Sequence, residues 1–329
     1  MVKVGLIGMG KWGINHAATY VALSKKDLCK FTAIADVNPA VQTVAEKFGV
    51  KFFTDYKEML KEVDAVSVVV PTNLHYQVVK DCLNAGKHVL VEKPITSSSK
   101  EAKELIDIAK KKHLVLMVGY LFRFNNAVNE LKHMLPEIGK IQYITGRYVH
   151  SNKPPRKDSG VILNFAVHLI DILDYVLDKK PKRIYCKKKN FLSKEREDVA
   201  FITLDYGDFI ANLEVSWFHP QKARDLWIIG EKVKIYADLL EQSLIRYPIE
   251  VSYEGVDEED EEFIKVQKNE PLSDELEYFC SAIQNPEMKN NHLQGAEKEY
   301  LFTKICEMCL KSAELDQELD VEAELKKNG

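Results

Sequence analysis

Three glycines between a strand-like run and a helix-like run constrain this sequence most. Residues 2–7 form a short apolar run, and Gly8, Gly10 and Gly13 follow it with the spacing G-x-G-x-x-G. Gly8 permits a tight turn, Gly10 lets backbone amides approach a ligand, and Gly13 allows close packing of helix on strand. The helix N-terminus adds unpaired N–H groups and a positive dipole end. The pattern predicts a site for a dinucleotide pyrophosphate; the alternative is a nucleotide-free domain with a glycine-rich turn.

A carboxylate follows the second strand-like run. Asp36 ends the segment AIAD, 23 residues after Gly13. At that place a carboxylate accepts hydrogen bonds from a ribose diol and repels a 2′-phosphate. We therefore expect NAD rather than NADP. The alternative is that Asp36 is only a turn residue before Val37-Asn38-Pro39.

The order of the segments predicts two domains. Through the first 120 residues, apolar runs such as AVSVVVP and HVLVEKP alternate with helical segments. This alternation is typical of βαβ units and a parallel sheet. From residue 181 to about residue 266, short strand-like runs are separated by tight turns, which indicates a mostly antiparallel sheet. The sequence thus predicts an α/β chain with a dinucleotide-binding domain at 1–120 and an α+β domain at 121–329.

Composition excludes several classes of function. The formal net charge is −4, without the positive surplus of a nucleic-acid-binding protein. No apolar run is long enough to span a bilayer, and residues 2–7 are too short for the core of a signal peptide. We therefore expect a cytoplasmic protein with no nucleic-acid or membrane partner.

Cys306 and Cys309 form a single C-x-x-C without a second pair, so we favour buried cysteines over a metal or redox site.

Two polar clusters follow strand-like runs in the first domain. Thr72, Asn73 and His75 come after SVVV, and Glu92 and Lys93 come after HVLV. Ligands of open α/β sheets bind beyond the carboxyl ends of the strands. A lysine at a strand end, followed by proline, is expected near the nicotinamide; the alternative is an ordinary surface lysine.

A third cluster lies on a helix predicted from residue 162 to residue 176. Asn164, His168 and Asp171 have the spacing i, i+4, i+7 and share one face, while apolar residues cover another. A polar stripe on an apolar helix requires polar partners or a ligand, because unsatisfied buried groups are costly. We therefore predict that the active site lies on this helix. The alternative is that His168 is a core histidine whose hydrogen bonds are satisfied internally.

These segments together resemble one family. The motifs GxGxWGxxH (8–16), PTxxH (71–75), EKP (92–94) and the helix with His168-Leu-Ile-Asp171 are similar to those of the glucose-fructose oxidoreductase/inositol dehydrogenase/MocA family. The resemblance spans nearly the whole chain, and EKP is its most specific mark. It implies a doubly wound Rossmann domain and a C-terminal domain with a large open sheet. It also implies NAD(P)-linked oxidation or reduction of a sugar or cyclitol hydroxyl.

The resemblance implies that Lys93 and His168 are the catalytic pair. A histidine, with an ordinary pKa of about 6.5, accepts the hydroxyl proton near neutral pH. A lysine ammonium stabilises the developing alkoxide. The family commonly has aspartate where this sequence has Asn164. Asparagine can orient a hydroxyl or the imidazole, but it adds no negative charge to raise the histidine pKa.

The segment GYLFRFNNAV (119–128) is similar to GHxxRFNPAV of the branch that acts on UDP-N-acetylhexosamines or their uronates at C3. In this segment, Arg123 is expected to bind an anion, and Asn125 is expected to bind sugar hydroxyls. The alternative for Arg123 is an interdomain ion pair. Arg156, in KPPRKDSG, is expected to bind phosphate. The expected reaction is oxidation of C3 of UDP-N-acetylglucosamine or its uronate. The alternatives are an inositol or free-sugar dehydrogenase and a non-catalytic sensor of NAD or a nucleotide sugar.

The predicted ligand sets combine the glycine loop, the strand-end clusters and the helix. The predicted cofactor-binding residues are Gly8, Gly10, Lys11, Trp12, Gly13, Asp36, Thr72, Asn73, His75, Glu92 and Lys93. The predicted substrate-binding residues are Lys93, Tyr120, Arg123, Asn125, Arg156, Asn164 and His168. We expect NAD as the cofactor, no metal, and a homo-dimer or homo-tetramer formed through the C-terminal sheet.

Overall fold

The computed structural model describes residues 1–151, 155, 158–285, 287–288 and 296–327. The chain divides into two compact units. The first comprises Met1–Leu121 and Glu270–Thr303, and the second comprises Phe122–Asn269 and Lys304–Gly329. The domain boundary at residue 120 stays a prediction, and residues 270–303 group with the first unit.

The first unit contains a parallel sheet of six strands. The strands are β1 Lys3–Ile7, β2 Lys30–Ala35, β3 Lys51–Phe53, β4 Ala65–Val68, β5 His88–Glu92 and β6 Leu116–Gly119. Their order in the sheet is β3-β2-β1-β4-β5-β6. All neighbouring pairs are parallel. The order reverses between β1 and β4, which is where doubly wound sheets bind dinucleotides. β4 is buried along its whole length, as the absence of polar alternation in its sequence predicts.

Helices connect these strands. They are α1 Lys11–Lys25, α2 Gln42–Phe48, α3 Tyr56–Met59, α4 Thr72–Asn84 and α5 Ser99–Lys111. In α5 the buried residues are Ala102, Leu105, Ile106 and Ala109. This spacing is that of one helical face, so the lysine-rich remainder of α5 faces solvent.

The second unit contains a ten-stranded sheet. Its strands are β7 Ile141–Val149, β8 Arg183–Lys189, β9 Val199–Asp205, β10 Ile210–Ser216, β11 Ala223–Gly230, β12 Val233–Asp238, β13 Ser243–Val251, β14 Val256–Glu258, β15 Glu262–Ile264 and β16 Leu319–Asp320. Their order is β14-β13-β12-β11-β7-β10-β9-β8-β16, with β15 paired to β13. β10 and β7 run parallel, and the other pairs are antiparallel. The predicted fold class is confirmed: a parallel sheet in one unit and a mostly antiparallel sheet in the other.

The remaining helices are α6 Asn126–Met134, α7 Val167–Leu177, α8 Pro271–Gln284, α9 Ala296–Leu315 and α10 Val321–Lys326. The predicted helix from residue 162 to residue 176 differs at its start. Ile162–Ala166 forms a π-helical turn, and regular α-helix begins only at Val167. The Ile162 N–H, at the start of this turn, donates a hydrogen bond of 2.9 Å to the Glu197 carboxylate. Glu197 lies two residues before β9. Counting residues on an ideal α-helix could not reveal the wider turn, which is a feature often found at functional sites.

Candidate active site

The glycine loop has the geometry that its spacing predicts. Gly8 has a φ of +94°, and a Cβ there would lie 2.7 Å from the Val69 carbonyl oxygen. A Cβ on Gly13 would lie 2.2 Å from the Gly8 carbonyl oxygen. A Cβ on Gly10, the N-cap residue of α1, would meet nothing within 4 Å. Backbone contacts thus require two of the glycines, whereas Gly10 leaves open space before the helix N-terminus. That space and its N–H groups fit a dinucleotide pyrophosphate.

Asp36 is joined to this loop. Its Oδ2 accepts a 2.7 Å hydrogen bond from the Met9 N–H, and its Oδ1 accepts one of 2.8 Å from the Asn38 N–H. The carboxylate therefore holds the turn after β2 and also the glycine loop. Each carboxylate oxygen has a second lone pair for a ribose hydroxyl. The two alternatives for Asp36, turn residue and ribose ligand, are compatible.

Glu92 connects the glycine-loop helix to the EKP motif. Its Oε1 accepts hydrogen bonds from Trp12 Nε1 at 2.7 Å and from His16 Nε2 at 3.0 Å. Burial by itself raises the pKa of the Glu92 carboxyl. The hydrogen bond and charge of His16, the Trp12 indole and the charge of Lys93 outweigh burial and hold the pKa below its usual value. The carboxylate packs against Gly119, where a Cβ would lie 2.9 Å from its Oε1. The Glu92 side chain is thus a buried acceptor for α1.

Lys93 is half-buried, and the Lys93–Pro94 peptide bond is cis. His75, only 1% exposed, has its two ring nitrogens on backbone carbonyl oxygens: Nδ1 lies 2.8 Å from that of Pro94 and Nε2 lies 2.9 Å from that of Val70. Among the other predicted cofactor residues, Thr72 is buried, whereas Lys11 and Asn73 are exposed.

In the second unit, His168 is 3% exposed and lies among aromatic rings. Tyr148 stacks parallel to it with 5.3 Å between ring centroids, and Phe122 meets it edge-on at 5.4 Å. The Arg224 guanidinium lies 4.4 Å from the centre of the Tyr148 ring. Burial raises the pKa of the Tyr148 phenol, and the Arg224 charge opposes that rise. These rings fix the plane of the imidazole. No pattern near Tyr148 or Arg224 in the sequence pointed to His168.

Other predicted substrate residues make internal contacts. Arg123 forms a buried ion pair with Asp171, with 2.7 Å between Arg123 Nε and Asp171 Oδ1. Asn125 caps α6 by accepting hydrogen bonds from two backbone N–H groups, and its amide donates to the Leu239 carbonyl oxygen. Asn164, in the π-helical turn, is 6% exposed. Their roles in substrate binding stay predictions.

Tyr120 is buried in the first unit, where its ring meets Phe302 edge-on. Arg156, the predicted phosphate ligand, lies outside the described residues. Within the described part of the chain, no group of three or more histidine, cysteine or acidic residues could hold a metal ion. In the same part, no helix combines the length and apolar character needed to cross a membrane.

Comparison with known families matches both units. Residues 2–120 match the GFO/IDH/MocA oxidoreductase family with an NAD-binding Rossmann fold, and residues 129–236 match the GFO/IDH/MocA C-terminal domain. The chain belongs to this family. The family assignment confirms the predicted resemblance, and NAD, the predicted cofactor, is confirmed with it.

The proteins of the family that are similar to this chain are named for different reactions. UDP-N-acetylglucosamine 3-dehydrogenase of Acidithiobacillus ferrooxidans is 29% identical over 285 residues, which are 86% of this chain and 88% of that protein. Myo-inositol 2-dehydrogenase of Thermotoga maritima is 27% identical over 266 residues, 74% of this chain and 77% of that protein. The solved structure of the A. ferrooxidans enzyme, GnnA, has a TM-score of 0.83 at 26% identity and covers 95% of this chain and 98% of its own.

Proposed function

We propose that this oxidoreductase uses NAD to oxidise the C3 hydroxyl of UDP-N-acetylglucosamine, or of its uronate, to a 3-keto sugar nucleotide. The support for the substrate is the similarity to the A. ferrooxidans 3-dehydrogenase over 86% of this chain. The segment GYLFRFNNAV, which resembles that branch of the family, adds to it. Similarity to an inositol dehydrogenase over 74% of the chain favours a second candidate, oxidation of a cyclitol.

The observation that carries the chemistry is the fixed imidazole of His168. Oxidation of a secondary alcohol removes a hydride from carbon and a proton from oxygen. When bound, NAD supplies the hydride acceptor. We assign the proton to His168, whose ring plane is set by Tyr148 and Phe122. We assign stabilisation of the alkoxide oxygen to the Lys93 ammonium. The products are the ketone, NADH and one proton carried by His168, so atoms and electrons balance.

The test is turnover of a substrate panel by the purified protein with NAD. We expect NADH absorbance to appear with UDP-N-acetylglucosamine or its uronate, together with a product lighter by two hydrogens. Hydroxylamine should trap the ketone and drive the reaction forward. Turnover of myo-inositol with no turnover of either nucleotide sugar would establish the second candidate. No turnover of any alcohol, with NAD and nucleotide sugar bound, would favour a sensor.

Variants test the assigned residues. K93A and H168A should each lower kcat about 10²- to 10⁴-fold, the range for loss of an acid–base group. Both should keep NAD binding. The matched controls are K100A and H133A, which remove exposed side chains of the same types. Normal turnover in both K93A and H168A would refute the catalytic assignment.

We also propose that copies of this chain associate through the sheet of the second unit. Tyr143, Phe201 and Ile210 are 44%, 58% and 42% exposed. Ile210 lies opposite Tyr143 across the β10–β7 pair, and Phe201 lies opposite Glu214 in the neighbouring pair, so all three side chains are on one face. Light scattering should give a dimer or tetramer, and F201E should shift it toward the monomer. A monomeric wild type at micromolar concentration would contradict the proposal.

A further inference from the structure

Lys93 lies between two residues that each accept a hydrogen bond from a buried histidine of the same unit. On its N-terminal side, the Glu92 carboxylate accepts from His16, which is fully buried. On its C-terminal side, the Pro94 carbonyl oxygen lies 2.8 Å from His75 Nδ1. The two histidines are 59 residues apart in sequence (75 − 16) and belong to different helices, α1 and α4.

Each histidine joins the EKP segment to another loop at the carboxyl edge of the sheet. His16 belongs to the helix that begins at the glycine loop. His75 also contacts the Val70 carbonyl oxygen, through Nε2 at 2.9 Å. Val70 follows β4 and Pro94 follows β5, and these strands are paired, with Val68 opposite Val91. His75 therefore links the two chain segments that leave neighbouring strands.

The consequence concerns the direction of the lysine. A lysine side chain has a flexible four-carbon stem, so the placement of its ammonium depends strongly on where the stem starts. Hydrogen bonds on both flanking residues fix the backbone at Lys93 and hence its Cα–Cβ direction. In addition, the carbonyl oxygens of Val70 and Pro94, of which the Pro94 contact is buried, would both lose a polar partner if His75 were apolar.

We propose that His16 and His75 are positioning residues for Lys93, one acting through Glu92 and the other through the Pro94 carbonyl. Neither needs to touch the cofactor or the substrate. For His75 this replaces the direct cofactor contact expected from the PTxxH motif. The proposal rests on the proposed function only in taking Lys93 as the residue whose placement matters.

The first measurement needs no substrate. Acetic anhydride is applied to the NAD-bound protein, and the rate of Lys93 acetylation is measured by peptide mass spectrometry relative to that of exposed Lys100. H75F and H16F should each change this ratio by about threefold or more, because a released stem changes the exposure of the ammonium. H133F, at an exposed histidine, should leave the ratio unchanged.

The second measurement separates positioning from folding. H75F should lower kcat by about tenfold to 10²-fold, the cost of a misplacement of about 1 Å, with the dissociation constant of NAD within about threefold of the wild-type value. H75Q, which keeps an N–H donor, should recover part of the loss. If H75F does not fold, the comparison of H75Q and H16Q with the wild type replaces it.

An unchanged Lys93 acetylation ratio in the folded variants at both histidines would overturn the proposal, whatever happens to activity. A changed ratio in a protein whose wild type oxidises no alcohol would uphold the positioning role and remove the proposed function. The two failures are thus distinguishable.

Discussion

Trp12 Nε1 donates a 2.7 Å hydrogen bond to Glu92 Oε1, which joins two motifs that are 80 residues apart in sequence. His16 shares the same acceptor oxygen. The helix that begins at the glycine loop is therefore held to the strand end that carries Lys93. A ligand bound at the loop and the lysine share one rigid support.

Replacement of Glu92 tests how much this support contributes to stability. E92Q should lower the free energy of unfolding at pH 7 by about 1.5–3 kcal/mol, the range for a hydrogen bond to a charged group. The folded-state pKa of Glu92 lies below its unfolded value, so its contribution is present above about pH 4.3 and is lost as the pH falls toward the folded-state pKa. Urea unfolding from pH 7 to pH 3 should show that E92Q lacks this loss. A wild-type and an E92Q curve of the same shape would contradict the role of the charge.

Two alanine variants of the glycine loop should differ in what they lose: G13A should lose stability and G10A should lose NAD binding. G13A places a Cβ against the Gly8 carbonyl and should destabilise the first unit by about 1–3 kcal/mol. G10A meets no protein atom, so its cost should stay below about 1 kcal/mol, which is that of a poorer N-cap. G10A should nevertheless weaken NAD binding, because its methyl group occupies the space before the helix. Thermal unfolding without NAD measures the loss of stability, and the shift on adding NAD measures the loss of binding. Tight NAD binding by G10A would refute the assigned position of the pyrophosphate.

Local patterns made the fold and the glycine loop predictable from the sequence. The loop spacing, the absence of polar alternation in β4 and the alternation of strand and helix are all visible within short windows. The partners of the predicted site residues are not. Arg123 and Asp171 are 48 residues apart, and Trp12 and Glu92 are 80 residues apart. Such pairs are set by tertiary packing, which a single sequence does not encode at any fixed spacing.

The site on the helix shows the same limit. The predicted i, i+4 relation of Asn164 and His168 assumed a regular α-helix, but Asn164 lies in a π-helical turn and His168 in α7. Tyr148 comes from β7 and Arg224 from β11, which are antiparallel neighbours with these two residues directly opposite each other. Residues from separate strands form the surroundings of His168, so no spacing in the sequence could have identified them.

Asp36 should determine the choice of cofactor. D36A removes the acceptor of the Met9 N–H and the negative charge beside the loop. The dissociation constant of NAD should rise about fivefold to tenfold, which corresponds to roughly 1 kcal/mol for one lost hydrogen bond. The dissociation constant of NADP should fall relative to that of NAD, because the repulsion between Asp36 and the 2′-phosphate is removed. Fluorescence titration with NADH and NADPH measures both constants, and an unchanged ratio would leave Asp36 as a turn residue only.

Arg123 and Asp171 should behave as a structural pair. R123A removes the guanidinium that forms the buried ion pair with the Asp171 carboxylate, and should destabilise the second unit by about 3–5 kcal/mol. The double variant R123M/D171L should recover much of that loss, since it buries no unpaired charge. Urea unfolding of the wild type, R123M, D171L and the double variant gives the coupling free energy. If R123A kept its stability and lost nucleotide-sugar binding, the predicted role of Arg123 as an anion ligand would be preferred.

Glu197 should give a pH dependence of the opposite sign. It is 4% exposed, and burial raises the pKa of its carboxyl above the ordinary value despite the hydrogen bond from the Ile162 N–H. A raised folded-state pKa means that the contribution of Glu197 to stability is fully present below about pH 4.3 and declines as the pH rises through the folded-state pKa.

E197Q keeps an acceptor for the Ile162 N–H and carries no charge. It should be at least as stable as the wild type at pH 7, and the difference should vanish near pH 4. Urea unfolding at the two pH values measures this. G160A should destabilise, because its Cβ would lie 2.1 Å from a carboxylate oxygen of Glu197, a buried side chain that would have to leave the Ile162 N–H. A large loss of stability in E197Q at pH 7 would instead show that the charged carboxylate is required to hold the π-helical turn beside His168.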